Sequence, residues 1–358
     1  MPVVGARPNF MKVAPIIREL TRAAEPFELK LVHTGQHYDP LMSAVFFEEL
    51  EMPQPDVNLE VGSGSHSWQT AQVMLRFEPV LAEYQPDWVI VVGDVNSTLA
   101  CSLVCSKSGV RVAHVEAGLR SFDRSMPEEI NRLLTDQIAD LLFTPSEDGN
   151  LNLANEGIAP EKIHFVGNVM IDTLVELLPK AETRWPALAA GFNLKDYLLV
   201  TLHRPSNVDH PDTLAEIMAA LEEISHQVTV LFPVHPRTRQ RIAEFNLSTA
   251  AESVRLLEPV GYLDFLALEA HAALVLTDSG GVQEETTYLG VPCLTARPNT
   301  ERPITISAGT NQLVESNAAA LISAMRARLA ARNSSRSVPP FWDGHAAERI
   351  VEVFRSYL

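Results

Sequence analysis

Short apolar runs alternate with amphipathic stretches along most of this chain, the pattern of parallel strands joined by crossover helices. In the first half the predicted strands are Pro2–Val4, Phe27–His33, Trp88–Val92, Val110–His114, Leu141–Thr144 and Ile163–Val166, with crossover helices such as Ala14–Ala24 and Asn96–Lys107. A second series begins near Tyr197 and continues through Val228–Val234, Val254–Leu257, Ala272–Leu276 and Val291–Leu294. The two series predict two sheets. A helical stretch from Leu174 to Leu194, broken by Pro179 and Pro186, falls between them as the connection.

Length supports that division, because 358 residues exceed what one hydrophobic core serves and a 46% hydrophobic content is enough for two. The halves also echo each other. Val3-Val4-Gly5-Ala6-Arg7-Pro8-Asn9 resembles Val200-Thr201-Leu202-His203-Arg204-Pro205-Ser206-Asn207, an apolar strand ending at an arginine with a proline suited to a turn or a first helical position. Chance or two similar phosphate-facing loops would explain it. Open α/β sheets bind ligands beyond the carboxyl ends of their strands, so two such loops facing one another would make one site.

Polar residues gather at those predicted strand ends: Arg7 and Lys12, Gln36 and His37, Asp94, His114 and Glu116, His203 and Arg204, His235 and Arg237, and Asp278 to Glu285. The segment Thr277-Asp278-Ser279-Gly280-Gly281-Val282-Gln283-Glu284-Glu285 is the most informative, because it joins a buried-looking strand to a helix. Glycines there allow a ligand close to the backbone, and the free N–H groups of a first helical turn bind an anion. A helix merely capped by Ser279 is the plain alternative. Asp94 has a similar alternative as a cap, and Glu116 as a solvated surface residue. Pro127-Glu128-Glu129 suits a helix start on dipole grounds alone. Yet crowded carboxylates raise one another's pKa, which supplies a general acid and a general base near neutral pH.

A formal net charge of −17 argues against nucleic acid or an anionic membrane as partner, since either needs a clustered basic surface. Three cysteines form no disulfide framework, and the histidines lack the spacing of metal ligands, so buried thiols and no metal are expected. The amino terminus has no basic segment and apolar core of a signal peptide, and no run reaches the length of a membrane span. The expected location is cytoplasmic.

Taken in order, Gly5-Ala6-Arg7-Pro8 with Lys12, His33-Thr34-Gly35-Gln36-His37, Gly93-Asp94, His114-Val115-Glu116-Ala117-Gly118-Leu119-Arg120, Pro127-Glu128-Glu129 with Asn131-Arg132, Gly167-Asn168 with Asp172, His203-Arg204, Pro233-Val234-His235, the Thr277–Glu285 segment and Thr300-Glu301-Arg302-Pro303 resemble the non-hydrolysing UDP-N-acetylglucosamine 2-epimerase family over nearly the whole length. The resemblance implies an α/β fold of two Rossmann-like domains of the glycosyltransferase-B type with an interdomain cleft: residues 1–172, then 173–344 as the UDP-binding domain, with a helix over 345–358 packing back on the first. It implies a homodimer that interconverts UDP-GlcNAc and UDP-ManNAc without a cofactor, as a step toward cell-surface polysaccharide precursors. The family mechanism is anti-elimination of UDP to 2-acetamidoglucal, followed by re-addition after the proton returns to the opposite face of C2.

By the same resemblance Asp94, Glu116 and Glu128 are the acid–base group near C2, and His203 is a catalytic residue near the diphosphate. Arg7, Ser279, Gly280 and Gly281 hold the diphosphate, Lys12 and Arg302 position sugar and phosphate, Glu285 accepts from the ribose hydroxyls, and Phe265 packs on uracil. Departures from the family pattern are Asn9 in place of the common glutamate, Ile304 in place of an acid, and Val260 where some members have glutamine. Many bacterial members carry Arg-Glu-Met where this chain has Tyr38-Asp39-Pro40, and use that region to bind a regulatory UDP-GlcNAc. Loss of that arginine's bidentate anion grip predicts weak or absent activation. The rival readings are a hydrolysing epimerase, whose first loop usually reads Arg-Ala-Asp-Tyr, a glycosyltransferase of the same fold, and a non-catalytic sensor.

Overall fold

The computed structural model describes residues 1–24, 27–35, 49–247, 253–331 and 337–357, with Arg7 described by its backbone alone. Two compact units divide the chain, Met1–Thr173 with Pro340–Leu358, and Leu174–Pro339.

In the first unit the strands are β1 (Val3–Val4), β2 (Val32–His33), β3 (Val57–Asn58), β4 (Trp88–Val92), β5 (Arg111–Val115), β6 (Leu141–Thr144) and β7 (Ile163–Phe165). β1 to β3 pair in order, β4 to β7 pair in order, and a parallel bridge between Pro2 and Ile90 joins the two sets. The resulting order is 3-2-1-4-5-6-7, all parallel, with its direction reversing between β1 and β4. Val89 to Val92 are buried, as expected of a parallel strand covered on both faces. The covering helices are α1 (Arg7–Arg22), α2 (His66–Tyr84), α3 (Asn96–Ser108), α4 (Pro127–Ile138) and α5 (Glu147–Asn155).

The helix α6 (Val169–Phe192) is continuous, and Pro179 and Pro186 lie inside it instead of breaking it. Each proline removes a single helix hydrogen bond, while the buried residues Leu174, Leu177 and Ala181 keep their packing. Of the predicted strand Phe27–His33 only Val32–His33 pairs, and β3 escapes prediction because two residues carry no readable alternation.

The second unit holds β8 (Tyr197–Thr201), β9 (Thr229–Pro233), β10 (Arg255–Leu257), β11 (Leu274–Thr277), β12 (Cys293–Ala296) and β13 (Asn311–Val314). Their order, β10-β9-β8-β11-β12-β13, is again all parallel and reverses between β8 and β11. The helices are α7 (Pro205–Val208), α8 (Pro211–Ser225), α9 (Pro236–Glu244), α10 (Tyr262–Ala270), α11 (Gly280–Leu289), α12 (Ile304–Ser307) and α13 (Ala318–Ala330). One sheet face packs Leu198, Val200 and Phe232 against Leu214, Leu221, Leu321 and Met325. The other packs Tyr197, Leu199 and Val275 against Leu268 and Val282.

Return to the first unit begins at Pro340, ahead of the final helix α14 (Ala346–Arg355), because Trp342 is already buried there. Its Nε1 donates to the Pro145 carbonyl at 2.8 Å. Asp172 then receives the first amides of α14, from Ala346 at 3.1 Å and Ala347 at 2.7 Å. No helix of the described residues is long and apolar enough to cross a membrane.

Candidate active site

Both units place polar residues beyond the carboxyl ends of the strands near the sheet reversal, where open α/β sheets bind ligands. In the first unit β1 ends at Gly5-Ala6 and turns directly into α1. Asn9 stitches that turn: its Oδ1 accepts from the Gly5 and Ala6 amides at 3.1 and 2.9 Å, and its Nδ2 donates to the Val92 carbonyl at 3.0 Å. The end of β4 is thereby tied to the end of β1. Arg7 opens α1, and its side chain lies outside the described residues, as do Gln36, His37 and Tyr38-Asp39-Pro40.

β4 and β5 are in register through Val92 and Val115, so Asp94 and Glu116 emerge from adjacent strand ends. Asp94 does not cap α3, whose N-cap residue is Val95; its Oδ2 instead takes Arg132 Nη2 at 2.6 Å. Glu116 is 5% exposed, which removes the solvated-surface alternative, and it forms an ion pair with the equally buried Lys12. Its backbone has φ +71°, a left-handed conformation that costs a non-glycine residue free energy and clusters at functional sites. Beneath this pair His114 donates from Nε2 to the Gly93 carbonyl at 2.8 Å and contacts Asp136 through Nδ1 at 2.6 Å. Burial opposes charge on Asp136, yet His114 and Arg120 hold its carboxyl below the ordinary range. The turns before Asp94 and after Glu116 therefore rest on one buried ionic network.

Glu128 stands in the first turn of α4, half-buried. That turn is fastened to the Asp94 loop, because Asn131 Nδ2 donates to the Asp94 carbonyl at 2.9 Å and Arg132 bridges Asp94 and Glu129. Glu129 accepts from the Ser121 and Phe122 amides at 2.9 Å, leaving Glu128 as the α4 carboxylate with no side-chain partner among the described residues. Asp94, Glu116 and Glu128 thus come from β4, β5 and α4 of one unit.

In the second unit Ser279 occupies the N-cap of α11, but its side chain makes no capping hydrogen bond. The first-turn amides at Gly280 and Gly281 have no side-chain acceptor from their own cap, which favours the anion reading of this segment. A Cβ at Gly280 would come 2.5 Å from Arg302 Nη1, so the turn admits only glycine without displacing Arg302. Arg302 is itself buried between Glu284 at 2.7 Å and Glu301 at 2.6 Å. Asp278, fully buried, accepts from the His203 and Arg204 amides and from Asn207 Nδ2, and fixes His203 Nδ1 at 3.1 Å. Burial would raise the Asp278 pKa, and these contacts outweigh it. His203 keeps a 45% exposed side chain. Glu285, 3% exposed, accepts from Tyr262 Oη at 2.6 Å, while Phe265 packs partly buried against the α10 side of the sheet.

Sequence reading places Asn9, Arg132 and Asp278 within its motifs but assigns none of them a role of its own. The spacing of Glu129 and Arg132 is a helical pair signal, whereas the long-range partners of Asn9 and Asp278 leave no local trace. A separate cavity of about 400 Å³, lined among others by Tyr84, Trp88, Arg111 and Tyr357, lies at the amino ends of β4 and β5. It is at the wrong end of the sheet for the chemistry described above.

Two doubly wound parallel sheets with working groups at their carboxyl ends define an α/β protein of the glycosyltransferase-B type. A family model described as UDP-N-acetylglucosamine 2-epimerase matches residues 18–355. The UDP-N-acetylglucosamine 2-epimerase of Methanocaldococcus jannaschii is 46% identical over 360 residues, covering 98% of this chain and 97% of that protein. A crystal structure from the same organism, of UDP-GlcNAc 2-epimerase in complex with UDP-GlcNAc and UDP, matches with a TM-score of 0.91 at 45% identity over 99% of both chains. The UDP-2,3-diacetamido-2,3-dideoxy-D-glucuronate 2-epimerase of Pseudomonas aeruginosa is 40% identical over 356 residues, covering 98% of each. The chain belongs to the UDP-N-acetylglucosamine 2-epimerase family.

Proposed function

We propose that this protein interconverts UDP-GlcNAc and UDP-ManNAc by the non-hydrolysing route. The observation that carries the proposal is the buried Lys12–Glu116 pair at the end of β5, with Glu116 in a left-handed backbone conformation next to the Asp94 strand end. A surface glutamate has no use for such a placement. Removing the weakly acidic proton at C2 needs a positioned carboxylate, and the departing diphosphate needs its growing charge neutralised.

In this reading Asp94, Glu116 and Glu128 are the acid–base group. One takes the C2 proton while the C1–O bond breaks and its electron pair leaves with UDP, giving 2-acetamidoglucal. A proton then returns to the opposite face of C2, and UDP adds back to C1. UDP is retained through this cycle by the Ser279 hydroxyl and the first-turn amides of α11 at Gly280 and Gly281, by Arg7, and by His203, whose Nδ1 is fixed on Asp278. Lys12 and Arg302 position the sugar and phosphates, Glu285 accepts from the ribose, and Phe265 packs on uracil. The homodimer and the cytoplasmic location belong to the same reading.

Incubation with UDP-GlcNAc in heavy water tests it. Formation of UDP-ManNAc carrying deuterium at C2 is the expected result. Accumulation of free ManNAc with UDP would mean the hydrolysing reaction. The Pseudomonas aeruginosa relative supports a second sugar class, and turnover of the diacetamido glucuronate with UDP-GlcNAc left untouched would assign that substrate instead.

A further inference from the structure

Arg302 stands in an electrostatically unfavourable place. A Cβ added at Gly280 would lie 2.5 Å from its Nη1 and 2.8 Å from its Cζ, so the guanidinium rests directly on the first turn of α11. That turn is the positive end of the helix dipole, which repels a cation and attracts an anion. The arginine is buried all the same, and two carboxylates hold it there. Glu284, from α11 itself, lies 2.7 Å from Nε, and Glu301, in the loop after β12, accepts from Nη1 at 2.6 Å.

Glu301 divides its oxygens between arginines. Oε1 faces Arg302, while Oε2 accepts from Arg297 Nη2 at 2.7 Å. Arg204 Nη2, beyond the end of β8, lies 3.7 Å from the same Oε1. Glu301 is 2% exposed and Arg297 4%, and Arg297 Nη1 has no hydrogen-bond partner among the described residues. A buried ion pair with an unsatisfied N–H adds little to stability, so the fold alone gives no reason to place charges here. The loop is also fastened to α11 through Thr300, whose Oγ1 donates to Gln283 Oε1 at 2.7 Å and accepts the Arg302 amide at 3.1 Å.

We propose that Glu301 is a positioning residue for the diphosphate: braced by Arg297, it holds the Arg302 guanidinium against the first turn of α11, so that cation and helix start act on one anion. The proposal rests on the reading that this turn binds UDP. A bound diphosphate turns the repulsion between Arg302 and the helix dipole into attraction from both.

Removing Glu301 has two effects of opposite sign. Loss of a negative charge beside the site favours an anion, whereas release of Arg302 weakens the grip. The second wins, because Arg297 already offsets the Glu301 charge at short range and a guanidinium binds phosphate only when its planar fork is aimed.

The test is Glu301→Gln, which keeps the shape and removes the charge. Affinity for UDP should fall about tenfold, while affinity for uridine, which carries no phosphate, should stay within about twofold. In an Arg302→Met background the same substitution should change UDP affinity by less than about twofold, because Glu301 acts through Arg302. If the single variant fails to fold with Arg297 left buried, Glu301→Gln combined with Arg297→Gln removes the ion pair as a unit and should show the same selective loss. Unchanged or tighter UDP binding, a parallel fall for uridine, or an undiminished effect in the Arg302→Met background would overturn the proposal. Failure of the wild-type protein to bind UDP would instead overturn the nucleotide reading beneath it.

Discussion

Arg132 Nη2 lies 2.6 Å from Asp94 Oδ2, and the same guanidinium reaches Glu129 at 2.8 Å through Nη1. One buried arginine thus joins the end of β4 to the start of α4, tying Asp94, one of the three carboxylates assigned to the reaction, to Glu129, the neighbour of Glu128. The arginine is the spacer.

Arg132→Ala should leave Asp94 and the buried Glu129 facing each other without a cation, at a cost of about 3 kcal/mol in folding stability. Arg132→Lys should fall between the two, because an ammonium cannot bridge both carboxylates with a planar fork. Denaturant unfolding measures the first effect. In the lysine variant kcat should drop while UDP affinity stays, since the second unit is untouched.

Glu116→Gln tests the acid–base group itself. Loss of one positioned carboxylate should lower kcat by about 10²–10⁴ with UDP binding retained. Unchanged turnover would remove Glu116 from the mechanism.

Ser279→Asp separates capping from anion binding at the start of α11. A carboxylate there should cap the helix and raise stability by about 0.5–1 kcal/mol. It should also compete with the diphosphate and weaken UDP binding by about tenfold. Opposite signs in melting temperature and affinity are the expected signature, and parallel changes would point to a cap alone.

Gly167→Ala should detach the carboxyl-terminal segment. Gly167 has φ +92°, and a Cβ there would stand 2.0 Å from the Phe341 carbonyl oxygen, so the return of the chain at Phe341 must shift. A destabilisation of about 2 kcal/mol or more is expected from strain and overpacking together. Faster proteolysis ahead of α14 would accompany it.

Asp172 makes a prediction about pH. Burial raises its pKa to about 6, against the amides of Ala346 and Ala347, which favour the carboxylate. A folded-state pKa above the unfolded one means that this contribution to stability is present below the unfolded value near 4 and is lost as pH rises through about 6. Asp172→Asn should flatten that fall by roughly 2 kcal/mol. Urea unfolding of both proteins at pH 4 and pH 7 measures the difference.

Much of this architecture is legible from local pattern. The buried runs Trp88–Val92, Leu141–Thr144 and Ala272–Leu276 announce strands because a parallel strand covered on both faces is apolar throughout. The helix start at Pro127 is equally legible from its proline and acids. Pro179 and Pro186 mislead, because a long helix with a packed side survives losing single hydrogen bonds.

The sequence by itself determined two parallel α/β units, the glycine turn at Ser279 to Gly281, and the set of strand-end acids, since periodicity, glycine and proline act within a few residues. Only the tertiary structure decided what those acids face: that Asp94 pairs with Arg132 instead of capping α3, that Glu116 is buried against Lys12, and that Glu285 accepts from Tyr262. These partners lie far apart in the chain. Their pairing depends on strand register and helix packing, which bring distant residues into low-dielectric contact and so set the charge each one carries.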